Sequence, residues 1–357
     1  MSGRFSRRSL VVGGTSVAMA RMNVADALRV NDLDRAIWRE ELDSFVPARA
    51  FDVHLHLTRA EFDLTGATKG LRRECSVEML AEIERLLMPG RTVHHLIFPS
   101  PHLRCDFTAA NRFIAAEKLK TEHRAALMVV HPSMSGKAVE ADVREHRFLG
   151  FKPYRFYSTS GDIEECRITD FLPEHQIAVA NRFGLLIGLH LSKKRAISDP
   201  QNLDDLERLA ARYPRVHWVL FHCARSYSAW ALEKAAPRLR RIPNVWIESS
   251  SVCETDAFDA LFTHIDPKRI CYGTDDIGVG ITRGKYVAWG RSWSNMDETN
   301  QTLLRSHCDG RFTFVRYEML RAMRRAAGHA RFTRAQVEDI FYNNAADLIG
   351  RVQRGLV

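Results

Sequence analysis

The chain has 357 residues, of which 52 are Lys or Arg and 43 are Asp or Glu, so its formal net charge is +9; 45% of the residues are hydrophobic. This composition is that of a globular protein large enough to bury a full core, and it excludes disordered and collagen-like chains. No run of about 18 apolar residues occurs, so the sequence predicts no transmembrane helix. The seven cysteines are odd in number and never form a Cys-x-x-Cys pair, which argues against a disulfide framework and a thiolate zinc site.

The basic excess does not indicate a nucleic-acid-binding surface. The densest basic positions lie between Arg238 and Arg241 and along a helix-like stretch from Arg316 to Arg334, without interleaved aromatic residues on which bases could stack. We therefore expect solvated helix faces at these positions and no nucleic-acid partner.

The first residues differ from the rest of the chain. Arg7 and Arg8 precede a short, mildly apolar stretch, a pattern that resembles a twin-arginine export signal. The alternatives are a disordered tail, or a start codon at Met22. Each interpretation leaves residues 1–21 outside the fold and residues 22–357 as one domain. We expect a cytoplasmic location, with export to the periplasm as the alternative.

From Val24 onward, predicted helical and extended segments alternate. A predicted helix over Asp32–Phe45 is followed by eight apolar runs of strand length, which are Ala50–Leu57, His95–Phe98, Ala126–Val130, Gly150–Phe156, Leu185–Leu189, His217–Phe221, Val245–Glu248 and Arg269–Gly273. Helix-compatible stretches lie between most of these runs and after the last, namely Val77–Leu87, Phe107–Lys120, Ile168–Arg182, Leu203–Arg212, Ala229–Leu239, Asp256–His264, Phe314–Ala327 and Arg334–Ile349.

Nearly continuous apolar strands with helical crossovers indicate a parallel sheet covered on both faces. Eight such units predict an α/β fold, a (β/α)8 TIM barrel, with an N-terminal helical extension. After Asp275, the segment from Asp276 to Gly310 has weak periodicity and contains several Trp, Tyr and Gly residues. Because a loop of this length needs a functional reason, we expect a lid or a substrate-facing insertion after the eighth strand.

Polar residues at the ends of the predicted strands indicate chemistry, because the catalytic groups of a barrel collect at the carboxyl ends of its strands. His54 and His56 are two residues apart on the first run, so both side chains point to the same side of the strand. Neutral imidazoles bind zinc or manganese well. This pair is therefore a candidate metal site, and a satisfied pair of polar core residues is the alternative.

Two further strand ends offer ligand-type residues. His190 ends the fifth run as a candidate third ligand, and Asp275 follows the eighth as a candidate fourth ligand or as the base that deprotonates a water. Taken alone, His190 is compatible with a hydrogen-bonded core histidine and Asp275 with a helix N-cap or turn residue. Together with His54 and His56, they place four ligand-type residues at the ends of three strands, which favours a metal centre.

These residues lie in motifs that resemble the amidohydrolase superfamily, and more narrowly its amidohydrolase-related branch, which includes aminocarboxymuconate-semialdehyde decarboxylase. The resemblance covers approximately residues 45–350. It rests on Asp52-x-His54-x-His56, Gly150-Phe151-Lys152, Leu189-His190, Phe221-His222-Cys223, Tyr272-Gly273-Thr274-Asp275 and Asn344-Ala345-Ala346-Asp347-Leu348.

The resemblance implies one divalent metal ion, usually zinc in this branch, with manganese as the alternative, bound by His54, His56, His190 and Asp275. It also implies that His222 is a catalytic or substrate-polarising residue. Some superfamily members bridge two metal ions with a carboxylated lysine on the fourth strand. Lys152 lies on that strand, but near its predicted start, so we expect a single metal ion. Members of the branch are often dimers, which implies a homodimer.

The chain departs from the family after His222, where Cys-Ala-Arg replaces a pattern in which glycine commonly follows the histidine. Arg225 is therefore expected either to contact an anionic substrate group or to form an ion pair. Lys152 and Arg155 are further candidates for binding a substrate carboxylate, although Lys152 can alternatively pair with Glu248 across the barrel. Trp289 and Trp293 in the late insertion are candidates for one wall of the substrate pocket, and lid residues that shield the site from solvent without a substrate role are the alternative.

Together these inferences predict a hydrolase that cleaves an amide, ester or lactone bond of a small, carboxylate-bearing substrate with metal-activated water. Asp275 is predicted to accept the proton of that water, and His222 to polarise the scissile carbonyl. The same site is also compatible with non-oxidative decarboxylation of a small aromatic or unsaturated acid. A non-catalytic barrel that binds a ligand is the third alternative, and the intact set of ligand residues argues against it.

Overall fold

The computed structural model describes residues 23–300 and 306–356, so the predicted signal-like segment lies outside the described residues. Eight strands form one parallel sheet in chain order. They are β1 (Arg49–Leu57), β2 (Thr92–Pro99), β3 (Ala125–Val130), β4 (Gly150–Pro153), β5 (Leu186–Leu189), β6 (His217–Leu220), β7 (Val245–Glu248) and β8 (Ile270–Cys271).

The sheet nearly closes on itself. The amide of Val53 on β1 donates to the carbonyl of Tyr272, just after β8, at 3.1 Å, and the amide of His56 donates to the carbonyl of Asp276 at 3.3 Å. These bonds bring the end of the sheet back to its first strand. The predicted (β/α)8 TIM barrel is therefore confirmed, whereas the division into residues 1–21 and 22–357 stays a prediction.

Most strands begin and end within a few residues of the predicted bounds, and the largest differences are at the start of β2 and at the end of β4. The predicted run Gly150–Phe156 ends as a strand at Pro153, because Arg155–Tyr157 forms a turn of 3-10 helix. Lys152 is consequently the third residue of a four-residue strand. Its prediction as a residue near the start of the strand was wrong, and it lies at the carboxyl end, where barrel chemistry is located.

Helices cover the outside of the barrel. Their bounds are Val24–Leu28, Asp32–Ile37, Val77–Leu87, Phe107–Glu117, Gly136–His146, Ile168–Phe171, Glu174–Phe183, Pro200–Arg212, Ala229–Leu239, Thr255–His264, Val315–His329, Arg334–Glu338 and Asn344–Gly355, with π-helical turns at Trp38–Leu42 and Asp339–Asn343. The helix Gly136–His146 was not among the predicted helices. Only Val139 and Val143 of this helix are buried, so its apolar pattern is too sparse to stand out. Within the described residues, no helix combines the length and the apolarity needed to cross a bilayer.

The insertion after β8 has more regular structure than its weak periodicity predicts. It contains an antiparallel hairpin of β9 (Gly284–Trp289) and β10 (Ser292–Asp297), in which Ser292 pairs with Trp289. The two-residue turn uses Gly290, whose φ is +61°, in the left-handed region that glycine adopts most readily. The predicted insertion after the eighth strand is therefore present, and part of it is a hairpin rather than a loop.

One helix of the barrel ends in a conformation that its residue disfavours. The helix Gly136–His146 is followed by Arg147 at φ 49° and ψ 47°, whereas the helix Glu174–Phe183 is followed by Gly184 in the same left-handed region. We expect Arg147→Gly to raise the free energy of unfolding by about 0.5–1 kcal/mol, because glycine removes the steric cost of the Cβ atom. Urea unfolding measures this gain. Arg147→Ala keeps the Cβ atom and should bring no gain; equal stabilisation by both variants would contradict the argument.

Candidate metal and catalytic site

Three buried side chains converge on one point at the carboxyl end of the barrel. The Nε2 atom of His56 lies 3.0 Å from Oδ1 of Asp275, and Nε2 of His54 lies 3.3 Å from the same oxygen. All three residues are almost fully buried. The expected placement of His54 and His56 on one side of the first strand is therefore observed, and Asp275 faces both.

The opposite ring nitrogens of these histidines are engaged by other partners. Nδ1 of His54 lies 3.2 Å from Oε2 of Glu248, which is the orienting contact expected of a carboxylate beside a ligand histidine. Nδ1 of His56 lies 3.4 Å from the hydroxyl of Tyr154, which itself donates to the carbonyl of Pro99 at 2.9 Å. Because that hydroxyl proton is already used, Nδ1 of His56 is the donor. In each ring the lone pair of Nε2 then faces Oδ1 of Asp275 and is available to a metal ion.

His190 and His222 lie next to this cluster, and in each ring Nδ1 faces a backbone carbonyl. Nδ1 of His190 donates to the carbonyl of Leu191 at 3.0 Å, and Nδ1 of His222 donates to the carbonyl of Ser250 at 3.2 Å. Since a carbonyl only accepts, both rings leave Nε2 unprotonated when neutral. The two ring centroids are 5.1 Å apart, and His222 is 5.0 Å from His54. His190 thus borders His222 rather than the tight group of three.

Burial sets the protonation states of the cluster. Burial lowers the pKa of His54, His190 and His222, so these imidazoles are neutral at pH 7, which is the form that binds metals. Burial acts to raise the pKa of Asp275, but the adjacent imidazoles lower it by more. The pKa of Asp275 therefore lies well below its usual range, and the carboxylate is ionised. Burial raises the pKa of Glu248 to about 7.

A network beneath the cluster fixes the loop that carries Asp275. The carboxylate of Asp52, fully buried on β1, accepts from the amide of His54 at 2.9 Å and from the amide and hydroxyl of Thr274 at 3.1 and 2.5 Å. The backbone of Asp275 is left-handed, with φ 57°, which is uncommon for a residue other than Gly or Asn. Ser251 donates to the second carboxylate oxygen of Asp275 at 3.1 Å.

A glycine leaves the space that the Asp275 carboxylate occupies. A Cβ atom on Gly278 would lie 2.4 Å from Oδ1 of Asp275, the same oxygen that both histidines contact. We expect Gly278→Ala to displace this carboxylate and to lower turnover by about 100-fold, the effect of a shift of about 1 Å at a reacting group. Gly328→Ala is the matched control, because a Cβ atom there meets nothing within 4 Å. Wild-type metal content and turnover in Gly278→Ala would contradict this reasoning.

The segment after His222 takes an unusual backbone course. The residues His222, Cys223, Ala224 and Arg225 have φ between 50° and 60°, so they form a left-handed turn directly after β6. Each such non-glycine residue costs about 1–2 kcal/mol, and strain of this kind is typical of functional sites. This turn places the side chain of His222 in the barrel mouth.

The four side chains predicted to bind substrate are in different environments. Lys152 is buried, and its ammonium lies 4.3 Å from the centre of the Tyr154 ring. Among the described residues, no carboxylate lies within 4.0 Å of Lys152 or Arg225. The proposed pairing of Lys152 with Glu248 is therefore not observed. Arg155, in contrast, pairs with Glu164 at 2.8 Å.

Arg225 is half-buried beside the site, and burial lowers the pKa of its guanidinium. Its Nη1 donates to the carbonyl of Lys193 at 2.9 Å, and the guanidinium lies 5.9 Å from the centre of the Trp293 ring. Trp289 is 54% exposed, whereas Trp293 packs on Tyr227 with ring centroids 4.2 Å apart. The tryptophan of the insertion that reaches the barrel mouth is thus Trp293.

Aromatic rings form much of the wall around the cluster. The ring centroid of Phe221 lies 4.0 Å from that of His54, and Phe98 lies 4.9 Å from His56. Tyr227 stacks at 6.1 Å on His222. Such walls exclude water and strengthen electrostatic interactions within the site. None of these rings was among the predicted site residues, since Phe and Tyr in barrel strands are indistinguishable in sequence from core residues.

Comparisons with known proteins agree with the barrel. A model of the amidohydrolase family matches residues 51–351. No curated protein matches the sequence.

Solved structures share the fold at low identity. A Pseudomonas putida protein assigned as a 2-pyrone-4,6-dicarboxylic acid hydrolase is 12% identical, with a TM-score of 0.54 over 85% of this chain and 98% of that one. An Acinetobacter baumannii protein with the same assignment, crystallised with citric acid, is 14% identical, with a TM-score of 0.53 over 84% and 99%. A dihydroxybenzoic acid decarboxylase from a Polaromonas species, with bound manganese and 2-nitroresorcinol, is 12% identical, with a TM-score of 0.53 over 85% and 97%.

Proposed function

Because the chain belongs to the amidohydrolase family, we propose that it is a metal-dependent hydrolase that cleaves an amide, ester or lactone bond of a small, carboxylate-bearing substrate. The observation that carries this proposal is the convergence of Nε2 of His54 and Nε2 of His56 on one carboxylate oxygen of Asp275. Two imidazole nitrogens and an ionised carboxylate with one common focus form a ligand set for a cation.

The chemistry of the donor set fits a divalent ion of the zinc or manganese type. Imidazole nitrogen and carboxylate oxygen both suit these ions, and Glu248 and Tyr154 hold the two rings from behind, as outer partners of metal ligands do. His54, His56 and Asp275 would hold the ion, with His190 as the fourth ligand. When bound, such an ion acidifies water and polarises a carbonyl oxygen.

The protein supplies the proton transfers. Asp275 is ionised, so its carboxylate accepts the proton of the attacking water and returns it to the leaving group. His222 has Nδ1 fixed on the carbonyl of Ser250, which aims Nε2 into the barrel mouth. Because Nε2 carries no proton in the neutral ring, His222 would polarise a substrate carbonyl in its protonated form, in which Nε2 is also a donor. The rings of Phe98 and Phe221 exclude bulk water from this reaction.

Arg225 is our candidate for binding a substrate carboxylate, because its charge, like that of Lys152, has no carboxylate partner within 4.0 Å in the described part of the chain, and because its side chain, unlike that of Lys152, is partly exposed. We expect Arg225→Met to raise KM for a carboxylate-bearing substrate by about 10–100-fold, the loss of one charged hydrogen bond. Arg155→Met is the matched control, since Arg155 already pairs with Glu164. The KM ratio between an acid and its methyl ester tests the assignment: an unchanged ratio in Arg225→Met would remove it.

Decarboxylation of a small aromatic acid is the second candidate function. The observation that favours it is the aromatic wall around the cluster, in which Phe98, Phe221 and Tyr227 lie against the histidines. Proteins that share this fold include both an assigned hydrolase and a decarboxylase with bound manganese. In this reaction the Asp275 carboxylate would first take a proton from water and then deliver it to the ring carbon that loses carbon dioxide.

Product analysis separates the two functions. The purified chain is incubated with a panel of lactones, amides and aromatic acids, and both released carbon dioxide and new carboxylates are measured. A new carboxylate without carbon dioxide supports the hydrolase, and the reverse supports the decarboxylase. Elemental analysis after purification without chelator accompanies the assay; less than about half a metal ion per chain would sink both proposals.

A further inference from the structure

We propose that His94, Glu122 and His123 form a second metal site, for a divalent transition-metal ion such as zinc, at the end of the barrel opposite the candidate active site. His94 is the third residue of β2, and Glu122 and His123 precede β3. Both positions are at the amino ends of the strands, where the residues of a barrel usually contribute to stability rather than to catalysis. The inference is independent of the proposed function.

The three side chains are close enough to share one ion. Oε2 of Glu122 lies 3.1 Å from Nε2 of His94, and the rings of His94 and His123 have centroids 4.3 Å apart. One ligand atom from each residue lies within 4.8 Å of the other two. In a tetrahedral zinc site the ligand atoms are roughly 3.3–3.5 Å apart. The distances between the ligand atoms must therefore shorten slightly when an ion binds. The side chain of Glu122 can make this movement, because it is 72% exposed.

The two rings are held in place by residues that would not be ligands. The hydroxyl of Tyr342 contacts Nδ1 of His94 at 3.2 Å and Nε2 of His123 at 3.4 Å. Gln353 donates to the backbone carbonyl of His123 at 2.6 Å. A hydrogen bond to the second ring nitrogen is the arrangement that orients histidine ligands in metal sites. The pair is therefore organised before any ion binds.

The electrostatic environment of His94 suits a bound cation. Burial lowers the pKa of His94, and so do the nearby His123 and Arg49, while Glu122 opposes this shift. His94 is therefore neutral at pH 7 and offers a lone pair. The guanidinium of Arg49 lies over the Tyr342 ring, 4.2 Å from its centre, and is a nearby charge that disfavours a cation. Two imidazole nitrogens and a carboxylate outweigh it for zinc, cobalt or nickel.

An ion at this site would link β2 to the segment before β3, against the C-terminal residues Tyr342 and Gln353. We expect a stabilising role, because binding to the folded state alone raises the melting temperature in proportion to the logarithm of free metal over Kd. The predicted occupant is a transition-metal ion rather than calcium or magnesium, since two of the three ligands are nitrogen atoms.

The test uses the full chain equilibrated with excess zinc and then freed of loosely bound metal. We expect the wild type to hold about one equivalent more zinc than Glu122→Gln or His94→Gln/His123→Gln, and Glu122→Gln to weaken binding by more than about tenfold. Zinc should raise the Tm of the wild type more than that of either variant. Asp259→Asn is the matched control, because His329 and Asp259 form an exposed pair at 3.0 Å without a third ligand; it should behave as the wild type.

A further variant distinguishes metal bound at the barrel cluster from metal bound at the second site. His54→Ala/His56→Ala should lose the other equivalent and keep the zinc-dependent rise in Tm. Equal zinc content and an equal rise in Tm for the wild type and Glu122→Gln would overturn the second site, whatever the result at the barrel cluster. Because Glu122 is exposed, this variant remains a valid test if the double histidine variant does not fold.

Discussion

Asp275→Asn is expected to lower turnover by about 10²–10⁴-fold without unfolding the protein, because an amide retains the shape of the side chain but accepts no proton. Asparagine is the informative replacement at this position. Asp275 has φ 57°, and Asn tolerates this left-handed conformation better than other residues with a side chain, so the backbone can stay in place. Steady-state turnover of the substrate found in the product panel measures the effect.

A second variant separates loss of charge from loss of packing. Ser251 donates to Oδ2 of Asp275 at 3.1 Å, so Ser251→Ala removes a partner of the carboxylate but keeps its charge. We expect its turnover to fall far less than that of Asp275→Asn. Metal content is measured for both variants, because Asn is a weaker ligand than Asp. If Asp275→Asn retained its turnover within about tenfold, the proton-transfer role of Asp275 would be excluded.

The sequence predicts those parts of the site that depend on the two-residue repeat of side-chain direction along a strand. His54 and His56 share a side because a strand repeats every two residues, and the same period places them at the end of β1. The buried run before His190 likewise defines the strand that ends there. Glu248 ends the seventh predicted run, and its carboxylate contacts Nδ1 of His54 at 3.2 Å.

The parts that the sequence does not predict depend on which strand ends face each other. Gly273 and Gly278 leave room for Glu248 and Asp275, since a Cβ atom on either glycine would lie within 2.4 Å of a carboxylate oxygen. In the sequence these glycines resemble any others in a loop. The hairpin at Trp289 and Ser292 had a detectable signal, because a Gly-containing two-residue turn joins its strands, but its polar strands hid the alternation.

Arg316 illustrates the same limit for charges. Its position in an Arg-rich helical stretch predicted a solvated face, but the side chain is fully buried. Its guanidinium lies 2.5 Å from Oδ2 of Asp276 and 3.2 Å from Oε1 of Glu84, which are 40 and 232 residues away in the sequence. A helical period identifies a face of the helix, but not the partners that a charged residue meets there.

We expect Arg316→Met to lower the free energy of unfolding by about 3–5 kcal/mol, because it leaves the carboxylates of Asp276 and Glu84 buried without a cation. Methionine fills much of the same volume, so the loss reports on charge rather than on a cavity. Urea unfolding measures it. Arg311→Met is the control, since Arg311 and Asp309 form an exposed pair, and it should leave stability unchanged within error.

A double-mutant cycle identifies the cause of that loss. In Glu84→Gln, one of the two buried carboxylates is already neutral, so Arg316→Met should cost less there than in the wild type. Equal costs in the two backgrounds would mean that packing, not pairing, explains the loss. Asp276 follows Asp275 in the chain, and its carbonyl accepts from the amide of His56. Because a displaced Asp276 would move both of these neighbours, Arg316→Met should also weaken metal binding at the barrel cluster. A loss of stability with unchanged metal affinity would show that Arg316 supports the barrel but not the position of its ligands.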